Sequence, residues 1–449
     1  MAIHVAHWIW SLSIGGDAKN LSSLVAAQRR WANITVMTRQ SMPGVAAHHL
    51  ETSGIQVVPG IDSAEQLSQW LDVAKPSVLI FHRNGRPDAT ESSLLRVLKE
   101  ARVPCFEYNT FARVDPGTDA LWTGHLHLSR TSMMQYAMRR AVSPLHIPEH
   151  AAIGYAVDIP PQISEQERLA ARKVLGIAPD RFVALRLVRP DLRKWDPLPV
   201  LAVGRLIKKK MPVHLLIRAA PARRENWVRS QCGNWQTLLQ PSFDPEQIRL
   251  SLAASNCLLN YSHIGETFGL ALAEAMAAGL PTIVNCTPDM DNAQIELCQH
   301  ESTGLVANTL SSLVSALQLI FEHPEIGEQM GRSGRSFIEK TFANEIVELR
   351  LRRFMIDRLR ASGSQLAETI PEATGSDSYS LDQSWLDEYK RRLGNACKPT
   401  GSWFTEIADR ETLRFLRLFD TAEYALNIGP AATIHLVKHR IGRGSLMRR

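Results

Sequence analysis

At 449 residues, with 45% hydrophobic and 21% charged side chains, the chain is long enough for two globular domains with real cores, and no run of eighteen apolar residues predicts a membrane-spanning helix. Its net charge of +6 is not interleaved with aromatic residues, which argues against nucleic-acid binding. Six cysteines without a paired spacing exclude a disulfide frame and a cysteine zinc site, and predict reduced, packed thiols.

In chain order, an apolar strand is predicted over 3–9, then the Gly15-Gly16 turn, with Asp17 capping a helix to about Arg30. The opening residues show neither a basic n-region nor an apolar h-region, which with the thiols predicts a cytoplasmic protein. Further strands are predicted over 34–38, 77–81 and 103–108, with a helix over 91–101 between the last two. Pro160-Pro161 marks a hinge before a helix over 164–175. The rhythm restarts with strands over 182–188, 213–217, 257–261 and 282–284, alternating with helices over 197–208, 245–254 and 268–278. Strands alternating with helices predict parallel sheets covered on both faces. Two such series give an α/β protein of two doubly wound, Rossmann-like domains, 1–160 and 161–343, facing across a cleft. A helix over 344–360 closes the second series, with an apolar stripe of Val347, Leu351, Phe354 and Met355 among five arginines. Residues 361–380 hold no basic residue and have linker composition. A helical, basic extension fills 381–449, with twelve Lys/Arg against eight Asp/Glu. Such an end suits an anionic membrane surface, which would make the protein peripheral to the membrane, or a protein partner. A frayed, solvated terminus is the plainer alternative.

The most informative segment is GETFGLALAEAMAAGLPTIV, 265–284, where Glu274 is the only charged residue between Thr267 and Pro288. The stretch 268–278 is apolar nearly all round and contains no β-branched residue, as expected of a helix buried on most faces. A carboxylate there costs several kcal/mol, by order of magnitude, unless protein groups or ligand hydroxyls meet it. In parallel sheets ligands bind beyond the carboxyl ends of strands, near helix N-termini. The free N–H groups of Thr267, Phe268, Gly269 and Leu270 therefore make an anion site. Gly265 and Gly269 allow a phosphate close approach, and Glu274 lies within reach of the sugar hydroxyls of a nucleotide. The competing explanation is a glutamate that caps or salt-bridges within the core.

The second cluster is RPDLRKW, 189–195, at the carboxyl end of the strand over 182–188. A diphosphate leaving group gains negative charge as its bond to carbon breaks. Arg189 and Lys194, five apart across a turn, stabilise that charge without a metal. A basic loop in solvent is the alternative reading of the same residues.

Arg189 and Lys194 together with GETFGLALAEAMAAGLP resemble the retaining glycosyltransferases of family four, which have the two-domain GT-B architecture. The likeness spans about residues 1–360 and is strongest over 182–310, including DNAQIELCQHESTGLVA at 291–307. It implies a nucleoside-diphosphate sugar as donor substrate and no required cofactor. Arg189 and Lys194 would hold the diphosphate, Glu274 the ribose, and Glu266 would lie against the transferred sugar, with backbone contacts from Thr267 to Leu270. The acceptor would be a carbohydrate, a lipid-linked group or a protein.

The first domain departs from that pattern. Many members carry a histidine at the end of the strand matching 103–108, where Asn109 stands here; asparagine still donates and accepts hydrogen bonds. His82, with Arg83 and Arg86 after it, is read as a cleft wall near the acceptor, though a lone histidine at a strand end is more often a structural hydrogen-bonder. The Gly15-Gly16 turn lacks the G-x-G-x-x-G spacing and is read as a phosphate or acceptor-sugar approach. Asp289 and Asp291 match a metal-binding D-x-D, but they follow Pro288 at a predicted helix start, where acids are favourable anyway; no metal site is expected. Three functions remain open: a retaining, metal-independent glycosyltransferase, a sugar phosphorylase or nucleotide-sugar epimerase on the same scaffold, and a non-catalytic nucleotide-sugar-binding subunit.

Overall fold

The computed structural model describes residues 3–396 apart from 14, 43, 85–87, 243, 289, 376 and 378, together with the backbone but not the side chains of 45, 89, 90, 395 and 396. Arg86, Asp289, Cys397 and the tail from 397 onward, including all five of its last basic residues, lie outside the described residues. The chain divides into two compact units, 3–159 with 337–387, and 160–336 with 388–396.

The first unit is built on strands β1 (His4–Ile9), β2 (Asn33–Thr38), β3 (Gln56–Val58), β4 (Val78–Arg83), β5 (Cys105–Asn109), β6 (Gly124–His127) and β7 (His150–Ala152). They form one parallel sheet in the order β3-β2-β1-β4-β5-β6-β7. The second unit holds β8 (Phe182–Leu187), β9 (Val213–Arg218), β10 (Gln236–Leu239), β11 (Cys257–Asn260), β12 (Thr282–Val284) and β13 (Gly304–Val306). Its parallel order is β10-β9-β8-β11-β12-β13. Both sheets are doubly wound. Each therefore has a point where the strand order reverses, between β1 and β4 in one and between β8 and β11 in the other. Helices on both faces explain why β4, β8 and β9 are buried along their whole length.

The helix Asn344–Ala361 belongs to the first unit and not to the second. It buries Val347, Leu351, Met355 and Leu359, while Phe354 sits edge-on to Phe106 at 6.2 Å between ring centroids. Gly124 is needed beneath it, because a Cβ there would stand 2.7 Å from the Phe354 ring. The expectation of a linker over 361–380 is corrected. Ala367, Ile370 and Tyr379 are buried, and Asp377 pairs with Arg350 at 2.7 Å, so this polar stretch is fastened back onto the first unit. Low hydropathy concealed an ion pair and three buried anchors. The helix Gln383–Ala396 follows, its amphipathic start buried through Trp385, Leu386 and Tyr389.

Candidate functional site

The reversal point of the second unit is where the two sequence clusters meet. β8 and β11 are neighbours, with Ala184 beside Cys257 and Leu185 beside Leu258. The loop after β8 carries Arg189 and Lys194, and the loop after β11 carries Glu266. Lys194 Nζ donates to the Gly265 carbonyl at 2.9 Å and pairs with Glu266 Oε2 at 2.6 Å, both side chains being largely buried. Arg189 is exposed, and its side chain makes no hydrogen bond or ion pair among the described residues. The backbone N–H groups of Lys194 and Trp195 both donate to the Asp191 carbonyl, at 2.9 and 3.0 Å, closing a tight turn that presents the lysine. Burial works to raise the Asp191 carboxyl, but hydrogen bonds from Arg193 outweigh it and hold the group below the usual carboxylate range.

The helix at the site spans Leu270–Ala277, starting two residues later than the composition suggests. Gly269, with φ +97°, takes the left-handed conformation that a side chain disfavours and so delays the first helical turn. One face buries Leu272, Ala273, Ala275, Met276 and Ala277; Leu270, Ala271 and Glu274 share the half-exposed stripe. Glu274 is thus on the outward side of an otherwise buried helix, one turn from its N-terminus. Phe268 is buried and Thr267 half-exposed at that end.

Sequence reasoning missed the layer beneath. Asn285, after β12, clasps Ser262 by accepting from its N–H at 3.2 Å and donating to its carbonyl at 3.0 Å. Gln294 accepts from the Glu266 N–H at 3.0 Å and donates to the Asn285 carbonyl at 3.0 Å. Ala293 N–H donates to the Glu266 carbonyl at 2.9 Å. The loop after β12 therefore fixes the backbone on either side of Glu266. Gly265 owes its identity to that loop: φ is +64°, and a Cβ would come within 1.6 Å of the Asp291 carbonyl. The requirement is close packing of two loops, not the phosphate approach expected of it. An Asn in a loop and a Gln nine residues later, at the start of the four-residue helix Gln294–Leu297, carry no periodic signal, which is why their role passed unnoticed.

In the first unit the residues assigned to the acceptor side are largely committed to one another. Arg83 is wholly buried as a side chain: Nε donates to Glu91 at 2.5 Å, Nη1 to Glu107 at 3.0 Å and Nη2 to Asp115 at 2.9 Å. It is a core cation, not an open wall. His82 is buried, hydrogen-bonded to His7 at 3.0 Å and stacked on Tyr108, and burial with the neighbouring His7 holds its pKa well below the usual value. Asn109 is fully buried, with its amide donating to the Arg113 carbonyl at 2.8 Å and accepting from the Arg113 N–H at 3.2 Å. Gly15, by contrast, has open space around it and an extended φ of 176°, which any residue adopts. Gly16 begins the helix Gly16–Gln28; Asp17 does not cap it but accepts from the Tyr155 hydroxyl. Replacing Arg83 with methionine should destabilise the first unit by about 3–5 kcal/mol, because Glu91 and Glu107 would be left buried without their counter-charge. Urea denaturation followed by tryptophan fluorescence measures this.

Among the described residues, no group of three or more His, Cys, Asp or Glu side chains is placed to hold a metal, and no helix is long and apolar enough to cross a membrane. Cys105, Cys232, Cys257, Cys286 and Cys298 are free thiols.

No protein-family model matches the chain. The trehalose synthase of Pyrococcus horikoshii is 24% identical over 259 residues, covering 49% of this chain and 60% of that protein, so the chain spans less than two thirds of that curated relative. Among solved structures, a glycosyltransferase from Rickettsia africae aligns with TM-score 0.66 at 11% identity, over 80% of this chain and 99% of that one. Anabaena HepE in complex with UDP-glucose aligns at 0.63 and 15% identity, over 79% and 100%. Sucrose-phosphate synthase from Thermosynechococcus elongatus aligns at 0.59 and 17% identity, over 80% and 100%. At such identities the likeness is one of fold alone: two doubly wound α/β units in the GT-B arrangement of strands and helices.

Proposed function

We propose that this chain is a retaining, metal-independent glycosyltransferase whose second unit binds a nucleoside-diphosphate sugar. The observation that carries the proposal is the Lys194–Glu266 pair at the β8–β11 reversal point, beside the N-terminus of the helix Leu270–Ala277. Lys194 and the exposed Arg189 take the diphosphate oxygens, assisted by backbone N–H groups of Thr267 to Leu270. Lys194 then exchanges part of its contact with Glu266 for phosphate, leaving Glu266 to accept from a donor-sugar hydroxyl. Glu274 accepts from the ribose hydroxyls. An acceptor hydroxyl bonds to the anomeric carbon on the face the diphosphate leaves; the diphosphate departs with the bonding electron pair and takes the hydroxyl proton. Developing charge on the leaving group meets fixed cations, so no metal is required.

HepE was solved with UDP-glucose, which makes UDP-glucose the first donor to test. A thermal-shift screen with UDP-, GDP-, ADP- and TDP-sugars should raise the melting temperature with one of them, since a true donor stabilises the folded state by mass action. Transfer with that donor should persist in excess EDTA; loss of turnover on chelation would overturn metal independence. A second reading, donor binding without transfer, is favoured by Asn109, whose amide is occupied by the backbone of Arg113. Release of nucleoside diphosphate with sugar appearing on an acceptor decides for the enzyme.

A further inference from the structure

Arg186 lies within β8 and is only 1% exposed. Its Nη2 donates to two backbone carbonyls at once, Lys194 at 2.9 Å and Tyr261 at 3.0 Å. These belong to the two loops of the reversal point: the first carries the Lys194 ammonium, and the second runs on from Tyr261 to Glu266. The guanidinium lies 4.8 Å from the centroid of the Trp195 ring. Its Nε and Nη1 are buried and make no hydrogen bond among the described residues, and no carboxylate there stands within ion-pair distance of it. Burial draws its pKa down to about 10, partly opposed by the charges of Asp196 and Glu266.

A buried cation without a paired carboxylate costs stability, and its hydrogen bonds to the two carbonyls offset that cost only in part. Stability therefore does not account for Arg186. What it supplies is a tie between loops that come from strands far apart in sequence.

We propose that Arg186 is a positioning residue for the diphosphate cradle: by holding the Lys194 and Tyr261 carbonyls on one nitrogen, it fixes the Lys194 ammonium against Glu266 across the reversal point. The inference rests on the nucleotide-sugar reading of this site and adds a residue that touches neither phosphate nor sugar.

The test is Arg186→Met, with Arg186→Lys and Lys194→Ala alongside. Arg186→Met removes a buried cation but also the shared donor of the Lys194 and Tyr261 carbonyls. It should therefore melt within a few degrees of the wild type while kcat falls about a hundredfold, the scale on which a small misplacement of a catalytic group acts. The donor KM should change far less. Arg186→Lys keeps a charge and donors and should recover about tenfold of the loss. Arg186→Met added to Lys194→Ala should cost little more, since both act through one group. Turnover of Arg186→Met within about threefold of wild type, or a loss of turnover that tracks a loss of melting temperature, would overturn the proposal. If no nucleotide sugar stabilises the wild type, the functional reading has failed on its own account. The positioning role is then decided by NMR of ¹³C-methylated lysines. A Lys194 resonance distinct in the wild type that moves to the solvent-exposed position in Arg186→Met supports the tie, and an unmoved resonance refutes it.

Discussion

Replacing Glu274 with alanine is expected to abolish measurable donor binding while leaving the fold intact. Glu274 stands on the half-exposed stripe of the helix Leu270–Ala277, with the buried face supplied by other residues. Its removal opens no core cavity, and alanine is the best helix former, so stability should change by no more than about 1 kcal/mol. Binding is a different matter. A hydrogen bond to a charged acceptor contributes about 1.5–3 kcal/mol, and two ribose hydroxyls on one carboxylate together contribute about 3–6 kcal/mol. That corresponds to a rise in Kd of roughly two to four powers of ten. Calorimetric titration with the donor found by thermal shift gives the number. Glu274→Gln, which keeps an acceptor oxygen but loses the charge, should fall between. A Glu274→Ala protein that binds and turns over its donor as the wild type does would remove the nucleotide assignment of this helix.

The same residue shows what was legible beforehand. Uninterrupted apolar sequence around one acid revealed the helix but not that Glu274 stands on its half-exposed stripe, because a segment apolar nearly all round has no periodicity to mark the open face. Alternating strands and helices likewise disclosed two doubly wound units, through β-strands whose side chains are buried on both faces. Strands of three or four residues at the sheet margins, such as β3, β7, β10 and β13, escaped notice because so few residues form no pattern. Long-range partners escaped for a deeper reason. Arg83 looked like an accessible cation, yet Glu91, Glu107 and Asp115 surround it, brought there by a helix, the next strand and a loop. Asn109 looked like a replacement sugar ligand, yet its amide closes the turn to Arg113. Residue type indicates which chemistry a side chain is capable of; only the fold determines whether that capacity is already occupied. Gly265 reversed in meaning by the same logic, since the crowding neighbour is a carbonyl of the loop after β12.

The first unit should lose stability steeply as pH falls below 6.5. His7 is buried, with Nδ1 against His82 at 3.0 Å and Nε2 against Gln28 at 2.8 Å; burial lowers its pKa to about 4. His127, 2.9 Å from His150 and beside Tyr136, is lowered to about 3, first by burial and then by His125. His82 and His150 are lowered for the same first cause. These imidazoles stay neutral in the fold, while in the unfolded chain each takes up a proton near pH 6.5. Below that pH the unfolded state binds more protons, so stability is complete above 6.5 and drains away as pH falls toward the folded values. At pH 5 His7 and His127 each cost about 2 kcal/mol, roughly 4 kcal/mol together, and His82 and His150 add to the loss. That is comparable with the whole stability of a typical domain, about 5–15 kcal/mol. In the second unit His214, lowered to about 4 by burial, is the one histidine with a resolved shift among the described residues. Amide hydrogen exchange should therefore show protection in β1 and β4 collapsing between pH 6.5 and 5, while β8 and β9 fall far less. His7→Gln, which cannot be protonated, should lessen the slope in the first unit by about 1.4 kcal/mol per pH unit, one proton's share. Protection in β1 and β4 that stays level from pH 7.5 to 5 would mean that these histidines are not held neutral, and that the stacked, hydrogen-bonded packing around them gives way to water.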